Sequence, residues 1–341
     1  MMRALVYTAA RHLDVMDVEM PAVGEGDVLV RVERAGICGS DVQGVATRSP
    51  RRTPPLIMGH ELIGEVTSAA PEAGALVGRR VAVNPQIPCR LCPSCRSGHE
   101  NICQHRELIG GTRPGGFGEY VSVPARCTHV IDDELAADVA VLAEPVATCI
   151  HAFRLSPLAL PGTVVVLGAG TIGTLACIVA RLLGAGRVIV SESIDERRAW
   201  ADPIADAAVR PEELADTLLA GPRGGGAALI VDAVGSDATR AASIALLQPG
   251  GCAVWLGMHD AEATIPAFDL VVREQSIRGS FAYTNADFES AIDVLAQHAE
   301  AFRLPTRTCS LDEGAGVFEA LVAGDVEGFV KASLMPTGRP R

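Results

Sequence analysis

The chain has 341 residues, a formal net charge of −12 and 48% hydrophobic residues. This length and apolar content are enough for two domains, each with its own core. The acidic balance argues against a nucleic-acid or anionic-membrane binder, because neutralising phosphates requires a basic face. No apolar run of about 18 residues occurs, so no transmembrane helix is expected. Because the first residues turn polar too soon for a signal peptide, we expect a cytoplasmic protein.

The first third of the chain alternates apolar and polar residues in short runs that Gly and Pro interrupt. This is typical of short strands in a β-rich domain. The pattern predicts a small barrel or folded sheet over residues 1–130, with strands at 4–7, 27–32, 64–66, 80–83 and 116–123.

From about residue 134 the pattern changes to alternating strands and helices. The run 163–167 is apolar without alternation, as in a strand buried on both faces. Such alternation predicts a parallel, doubly wound α/β sheet. The predicted helices are 138–152, 171–183, 195–201, 287–298 and 312–323, and the predicted strands are 163–167, 187–190, 227–232, 252–257 and 330–334.

Four cysteines lie close together in a loop rich in Pro and Gly. Their spacing is Cys89-x2-Cys92-x2-Cys95-x7-Cys103. Four thiolates at this spacing can close a tetrahedron around one zinc ion and leave no position for substrate, so we predict a structural zinc site. An iron–sulfur cluster or a disulfide pair is the alternative. Cys38 belongs to a separate group that is described below. The other five cysteines stand in apolar surroundings and are interpreted as buried free thiols.

A glycine fingerprint follows the predicted strand 163–167 and opens the next helix. It reads Gly168-Ala169-Gly170-Thr171-Ile172-Gly173. In this context the motif predicts a dinucleotide site with the diphosphate at the helix N-terminus. Glu192 ends the next strand, where a carboxylate accepts hydrogen bonds from the adenosine ribose and repels a 2′-phosphate. NAD is therefore favoured over NADP.

A second set of metal-ligand types lies between residues 38 and 144. Cys38, His60 and a glutamate are the ligands that an open, catalytic zinc site uses. Glu61 and Glu144 compete for the third position, and both are candidates in different states. Glu144 stands before Pro145 in the expected hinge between the domains.

Several residues near this set have two interpretations. Ser40 is a candidate acceptor for an alcohol proton, or a turn serine. Asp41 is expected to fix the loop rather than do chemistry. Glu65 is either a neighbour of the metal ligands or a strand residue at the surface.

The loop over residues 43–55 carries several arginines. Arg48, Arg51 and Arg52 are interpreted as solvated, with a contact to an acidic substrate as the alternative.

These stretches together resemble the zinc-dependent medium-chain alcohol/polyol dehydrogenases, in the style of the sorbitol, threonine and butanediol dehydrogenase branch. The matching segments are collinear and span nearly the whole chain: Gly36 to Asp41, Gly59-His60-Glu61, the four cysteines, Gly115 to Tyr120, Ala143-Glu144-Pro145, the glycine fingerprint, and Arg278 to Phe281.

The resemblance implies three segments: a GroES-like catalytic domain over 1–150 with a structural zinc lobe at 85–105, a Rossmann domain over 151–285, and a C-terminal segment, 286–341, that returns to the first domain. It also implies two zinc ions per chain, a homodimer or homotetramer, and glutamate ligands at both Glu61 and Glu144. Gln43 departs from the family, because many relatives have a histidine near this position that extends the proton path.

The resulting hypothesis is hydride transfer between a secondary alcohol or polyol and NAD. Cys38, His60 and a glutamate hold the catalytic metal, and Ser40 moves the proton. One alternative is a zinc-dependent aldehyde or ketone reductase that uses NADPH. The other is a nucleotide-binding relative without catalysis. The substrate stays open among secondary alcohols, polyols, amino alcohols and cyclitols.

Overall fold

A computed structural model describes residues 1–47, 52–156, 162–221, 225–325 and 327–337. The chain folds into two compact units. The first consists of Met1–Glu144 and Thr284–Arg341, so both ends of the chain contribute to it, and the second is Pro145–Tyr283.

The first unit is rich in β-strands, as the alternating pattern predicts. Inward-facing residues such as Val30, Val32 and Val66 are fully buried in its core. Its strands are β1 (Met2–Ala9), β2 (His12–Val18), β3 (Asp27–Gly36), β4 (Leu56–Ile57), β5 (Glu61–Ala69), β6 (Arg80–Val83), β7 (Gln86–Ile87), β8 (Glu107–Leu108), β9 (Tyr120–Pro124), β10 (Thr128–Val130), β17 (Thr306–Cys309) and β18 (Lys331–Leu334).

The largest sheet of this unit brings the C-terminal segment to the N-terminal strands. Its order is β10-β6-β5-β3-β18-β17, with β9 also paired to β3. Ser333 lies opposite Gly36 in the antiparallel pair of β18 and β3. A second sheet has the order β2-β1-β4, and β7 pairs with β8. Residues of the C-terminal segment therefore lie beside the residues at the end of β3.

The first unit also contains helices. These are α1 (Gly39–Thr47), α2 (Pro93–Arg96), α3 (Ala137–Ala140), α10 (Asn285–Gln297) and α11 (Leu311–Val322). The N-caps of α10 and α11 are Thr284 and Ser310, whose side chains form capping boxes with Asp287 and Glu313. Such reciprocal bonds satisfy backbone donors that the first turn of a helix leaves unpaired.

The second unit is built around a parallel sheet. Its strands are β11 (Thr163–Leu167), β12 (Arg187–Ser191), β13 (Ala207–Val209), β14 (Ala227–Asp232), β15 (Leu247–Trp255) and β16 (Ser276–Gly279). Its helices are α5 (Thr171–Leu182), α6 (Asp195–Ala201), α7 (Leu214–Leu219), α8 (Asp237–Ala245) and α9 (Ala267–Val272), and α4 (Ala143–Arg154) leads into it. The strands lie in the order β13-β12-β11-β14-β15-β16. This is the strand order of a Rossmann fold, and the predicted doubly wound sheet is confirmed.

The predicted strand 116–123 is wrong in its first half, since β9 begins only at Tyr120. The backbone of Gly116 and Phe117 instead donates to the carbonyls of Gly59 and Met58, at 2.8 and 2.9 Å. A Cβ at Gly115 would lie 2.3 Å from the Gly59 carbonyl oxygen, so the approach of these two segments requires a glycine there.

Two further predictions differ from the structure. The single helix over 138–152 is interrupted between α3 and α4. The expected loop over 43–55 is wrong at its start, where α1 continues to Thr47.

Candidate functional site

The four clustered cysteines converge as predicted. Their sulfurs all lie within 4.8 Å of one another. The Sγ atom of Cys92 is 3.5 Å from that of Cys95 and 3.8 Å from that of Cys103. A tetrahedron with Zn–S bonds of about 2.3 Å has sulfurs about 3.8 Å apart, so the spacing fits a closed zinc site.

Backbone donors also prepare this cluster for thiolates. The N–H of Cys92 donates to Cys89 Sγ, and the N–H of Cys89 donates to Cys103 Sγ, both at 3.4 Å. Backbone donors from Leu91 and Cys92 lower the pKa of the Cys89 thiol to about 6. At Cys89 the donors thus favour the ionised sulfur that a metal ion requires, whereas burial and the neighbouring thiols of Cys92 and Cys103 raise the pKa of Cys95 to about 12.

A second group of ligand atoms combines Cys38, His60 and Glu61 within 4.8 Å of one another. Cys38 lies between β3 and α1, and the other two residues lie at the start of β5. Gly59 has φ of +93°, and a Cβ there would lie 2.5 Å from the ring of Phe117. A glycine before His60 is therefore required for this approach. Sulfur, imidazole and carboxylate together fit a catalytic zinc ion.

Asp41 contacts two of these three residues, Cys38 and His60. It is fully buried in the first turn of α1, its Oδ2 accepts the Cys38 N–H at 3.2 Å, and its Oδ1 lies 3.3 Å from His60 Nδ1. Burial by itself would raise the pKa of Asp41, but His60, Arg52 and the Cys38 N–H lower it to about 2. Contact at Nδ1 leaves Nε2 of His60 as the ligand atom, an arrangement common around metal-bound histidines. Asp41 thus fixes the loop at Cys38, as the sequence predicts, and it also contacts His60, which the sequence did not indicate.

Glu61 has a partner that sequence analysis missed. Lys331 of β18 forms a buried ion pair with Glu61 Oε2, and its ammonium also donates to the Ile37 carbonyl at 3.0 Å. A side chain at Gly36 would overlap the Glu61 carboxylate. Burial would lower the pKa of Lys331, but Glu61, Cys38 and Glu144 raise it above its usual value. The carboxylate is therefore balanced by a cation on the C-terminal strand.

Glu144 lies at the start of α4 and is half-buried. Among the described residues, the ligand group with Cys38 and His60 contains Glu61 but not Glu144. The negative charge of Glu144 acts on the Lys331 ammonium. Both glutamates thus raise the pKa of Lys331, but of the two it is Glu61 that lies with the ligand atoms of Cys38 and His60.

Ser40 lies beside the ligand group, in the first turn of α1. Its hydroxyl donates to Cys38 Sγ at 3.3 Å and accepts a hydrogen bond from Arg52 Nη2 at 3.0 Å. The interpretation of Arg52 as a solvated residue is wrong, because it is 7% exposed and also bonds Asp41. Arg48 and Arg51 lie outside the described residues. Gln43 is exposed on α1.

Two other expectations can be compared directly. Glu65 is half-exposed on β5 and pairs with Arg31 at 2.6 Å, as expected for a strand residue at the surface. The five remaining cysteines are confirmed as buried free thiols: Cys127, Cys149, Cys177, Cys252 and Cys309.

The glycine fingerprint lies between β11 and α5, in the predicted strand–turn–helix context. Gly168 has φ of +91°, and a side chain at Gly173 would overlap the Gly168 carbonyl. A Cβ at Gly170 would meet only open space, so this backbone is accessible where the helix begins. Thr171 and Ile172 form the first turn of α5 and are half-buried. The arrangement fits a diphosphate at the helix N-terminus.

Glu192 follows β12 and is 6% exposed. Its Oε2 accepts the Ala169 N–H at 2.7 Å, and its Oε1 accepts the Ile194 N–H at 2.9 Å. The carboxylate is thereby held against the glycine turn. A carboxylate has about four lone-pair positions, so it retains capacity for a ribose hydroxyl.

Within the described residues, no helix is both long and apolar enough to cross a membrane.

Comparison with known proteins gives matches to two family models. Residues 24–133 match the alcohol dehydrogenase GroES-like domain, and residues 171–297 match the zinc-binding dehydrogenase domain. D-xylulose reductase A of Aspergillus oryzae is 31% identical, over 87% of each chain. L-galactonate-5-dehydrogenase of Escherichia coli is 30% identical, over 87% of this chain and 88% of that protein.

Among solved structures, a zinc-binding dehydrogenase from Sinorhizobium meliloti bound to NADP superimposes with a TM-score of 0.88. It is 34% identical and covers 98% of this chain and 99% of its own. The predicted family, fold class and enzyme class are thereby confirmed. The chain is an oxidoreductase that belongs to the zinc-binding, GroES-like alcohol and polyol dehydrogenases.

Proposed function

We propose that the chain oxidises a secondary hydroxyl of a polyol and reduces NAD, with a catalytic zinc ion held by Cys38, His60 and Glu61. The observation that carries this proposal is the convergence of these three ligand atoms within 4.8 Å, next to a hydroxyl and in a fold that also has a dinucleotide fingerprint. Polyol chemistry is supported by relatives such as D-xylulose reductase A. The L-galactonate relative extends the range of candidates to sugar acids.

The residues of the ligand group have separate tasks. Cys38 and His60 supply sulfur and nitrogen, and Asp41 keeps the imidazole oriented. Glu61 supplies an oxygen whose charge Lys331 partly balances. Glu144 is proposed as a second carboxylate ligand that exchanges with Glu61, because both act on the same lysine.

Ser40 is proposed to move the proton. Its hydroxyl oxygen accepts the proton of the substrate hydroxyl while the serine's own proton leaves toward water. When bound, zinc supplies a Lewis acid that makes the substrate hydroxyl more acidic, and NAD supplies the hydride acceptor.

Cofactor choice is proposed to favour NAD. Glu192 places a negative charge beside the glycine turn, where it would repel a 2′-phosphate. The S. meliloti relative was solved with NADP, so the alternative of an NADPH-dependent reductase is retained and is tested through Glu192. The non-catalytic alternative is disfavoured because the ligand group is complete.

Four further features are proposed from the same reasoning. Each chain holds two zinc ions, one in each ligand group. The domain boundaries near residues 150 and 286 are supported by the division of the fold into compact units after Glu144 and Tyr283.

Self-association is supported by the exposed apolar side chains of α9. A cytoplasmic location is supported by the ten free cysteines, since a reducing compartment keeps thiols free.

The test compares Cys38→Ala with Cys309→Ala, which removes a buried thiol outside both ligand groups. We expect Cys38→Ala to lose turnover of polyols, to retain one zinc ion and to bind NADH normally in a fluorescence titration. Cys309→Ala should retain two zinc ions and turnover. Turnover in Cys38→Ala close to that of the unmodified protein would contradict the proposal.

A further inference from the structure

Arg52 is the one described arginine of the 43–55 loop, and it folds inward. Its Nη2 donates to Ser40 Oγ at 3.0 Å and to Asp41 Oδ1 at 2.8 Å. The side chain lies against α1 where Gly44 leaves room, since a Cβ at Gly44 would lie 2.7 Å from Arg52 Cδ. A permanent cation is thus buried beside the residue proposed to move the proton.

The hydrogen bonds of Ser40 have a defined direction. A serine hydroxyl has one proton to donate and two lone pairs to accept with. The proton points to Cys38 Sγ, and the Arg52 guanidinium occupies one lone pair. One lone pair therefore remains, and it is available to a substrate hydroxyl.

Among the described residues, Arg52 is the cation that bonds Ser40 Oγ, and it cannot take a proton from it. A guanidinium does not release its own proton and has no lone pair to accept another. Gln43, on the same helix, has a side-chain amide that does not titrate and is exposed. The serine proton therefore turns from Cys38 Sγ toward water, while the positive charge next to Oγ stabilises the oxygen that loses it.

We infer that Arg52 is a positioning residue for the proton transfer: it fixes the Ser40 hydroxyl and stabilises its oxygen as the proton departs. In this step the original Ser40 O–H bond breaks first, and its proton turns away from Cys38 Sγ and passes to water. The substrate O–H bond then breaks and its proton forms the new Ser40 O–H bond, so the negative charge that develops on Oγ in between is what Arg52 stabilises. The inference rests on the proposed role of Ser40. A purely structural Arg52 would act through Asp41 instead.

The experiment is a double-mutant cycle between Arg52→Met and Ser40→Ala, with kcat, KM and the solvent deuterium isotope effect on polyol oxidation. A hydrogen bond to a charged group contributes about 1.5–3 kcal/mol, so Arg52→Met should lower kcat by about 10- to 150-fold. KM should change less than about threefold, and the isotope effect should increase because proton transfer becomes slower. In the Ser40→Ala background, Arg52→Met should cost less than about threefold.

Matched variants separate this role from folding. Arg52→Lys retains the charge and should recover part of kcat. Arg31→Met removes the half-exposed arginine paired with Glu65 and should leave kcat unchanged. Zinc content, the absorption spectrum of the cobalt-substituted protein and the unfolding midpoint report on the ligand group without turnover. All three should stay close to those of the unmodified protein in Arg52→Lys.

Two outcomes would overturn the inference. The first is an equal loss of kcat from Arg52→Met with and without Ser40. The second is an unchanged isotope effect. If Arg52→Met does not fold, Arg52→Lys is put through the same cycle, and an equal loss in both backgrounds again overturns the inference. Full turnover in Ser40→Ala alone would instead contradict the proposed role of Ser40, so the two failures are distinguishable.

Discussion

Lys331, the only lysine in the sequence, forms a buried ion pair with Glu61. The lysine side chain is 1% exposed and that of Glu61 is 2% exposed. A buried ion pair is costly to break, because the remaining charge has no water around it. Glu61 therefore has two cationic partners in the proposed site, the ammonium of β18 and a metal ion, and they share the same carboxylate.

The first prediction concerns the Glu61 carboxylate that Lys331 and the metal ion share. Lys331→Met should destabilise the zinc-free protein by about 3–5 kcal/mol, because it leaves Glu61 unpaired. Zinc should recover much of this loss, since the metal then neutralises the carboxylate. Denaturant unfolding with and without zinc measures both effects.

The matched control for Lys331 is Arg303→Met, which removes an exposed pair with Glu300. An exposed pair contributes about 0–1 kcal/mol, so this variant should unfold almost like the unmodified protein. If zinc-free Lys331→Met is as stable as the Arg303 variant, the buried pair does not stabilise the fold.

The parallel sheet could be predicted from sequence because its signals are local. The apolar run of β11, the glycine turn and the acidic end of β12 follow one another within about thirty residues, as they do in any unit of this type. Helices α5 and α6 begin where their patterns predict. The four-cysteine cluster was predictable for the same reason, since its spacing alone fits a tetrahedron.

The surroundings of the catalytic ligands could not be predicted in this way. Lys331 reaches Glu61 only because β18 pairs with β3, a contact between distant parts of the chain. A single lysine in an apolar strand indicated a buried, paired charge, but it did not indicate which residue would pair with it. The inward fold of Arg52 depends on the small residue Gly44 of α1. Sequence analysis predicted this segment to be a polar loop, and no periodic pattern in it indicated the contact between Arg52 and α1.

A second prediction concerns the cysteine cluster. Cys92→Ser should reduce the zinc content from two ions to one per chain and lower the unfolding midpoint, because Cys92 lies within 4 Å of two of the other three sulfurs. Zinc is measured by mass spectrometry of the desalted protein. Cys252→Ala, in the core of the second unit, should retain both ions. An unchanged zinc content and an unchanged unfolding midpoint in Cys92→Ser would contradict Cys92 as a zinc ligand.

A third prediction concerns self-association. Phe268, Val271 and Val272 on α9 are 78%, 74% and 58% exposed. They follow β15 and precede β16, which is an edge strand of the described sheet. Exposed apolar groups beside an open edge favour contact with a second copy.

Phe268→Asp should therefore lower the mass measured by light scattering to that of a single chain. Leu219→Asp is the control, because Leu219 is 62% exposed in the same unit but lies on α7. Loss of association in both variants, or a monomeric unmodified protein, would reject this surface as the interface.

The last prediction concerns cofactor choice. Glu192→Gln removes a charge but retains an amide oxygen that can accept from Ala169 or Ile194, as the carboxylate does now. The other backbone N–H then faces the amide nitrogen, so the unfolding midpoint of the variant is measured beside the cofactor ratio. We expect kcat/KM with NADP to rise by about tenfold relative to NAD, because repulsion of the 2′-phosphate is lost; tenfold corresponds to about 1.4 kcal/mol. Glu196→Gln makes the same charge change on α6 and should leave the ratio unaltered. Equal ratios in both variants would show that Glu192 does not select the cofactor. A preference for NADP in the unmodified protein would contradict the choice of NAD and favour the NADPH-dependent reductase.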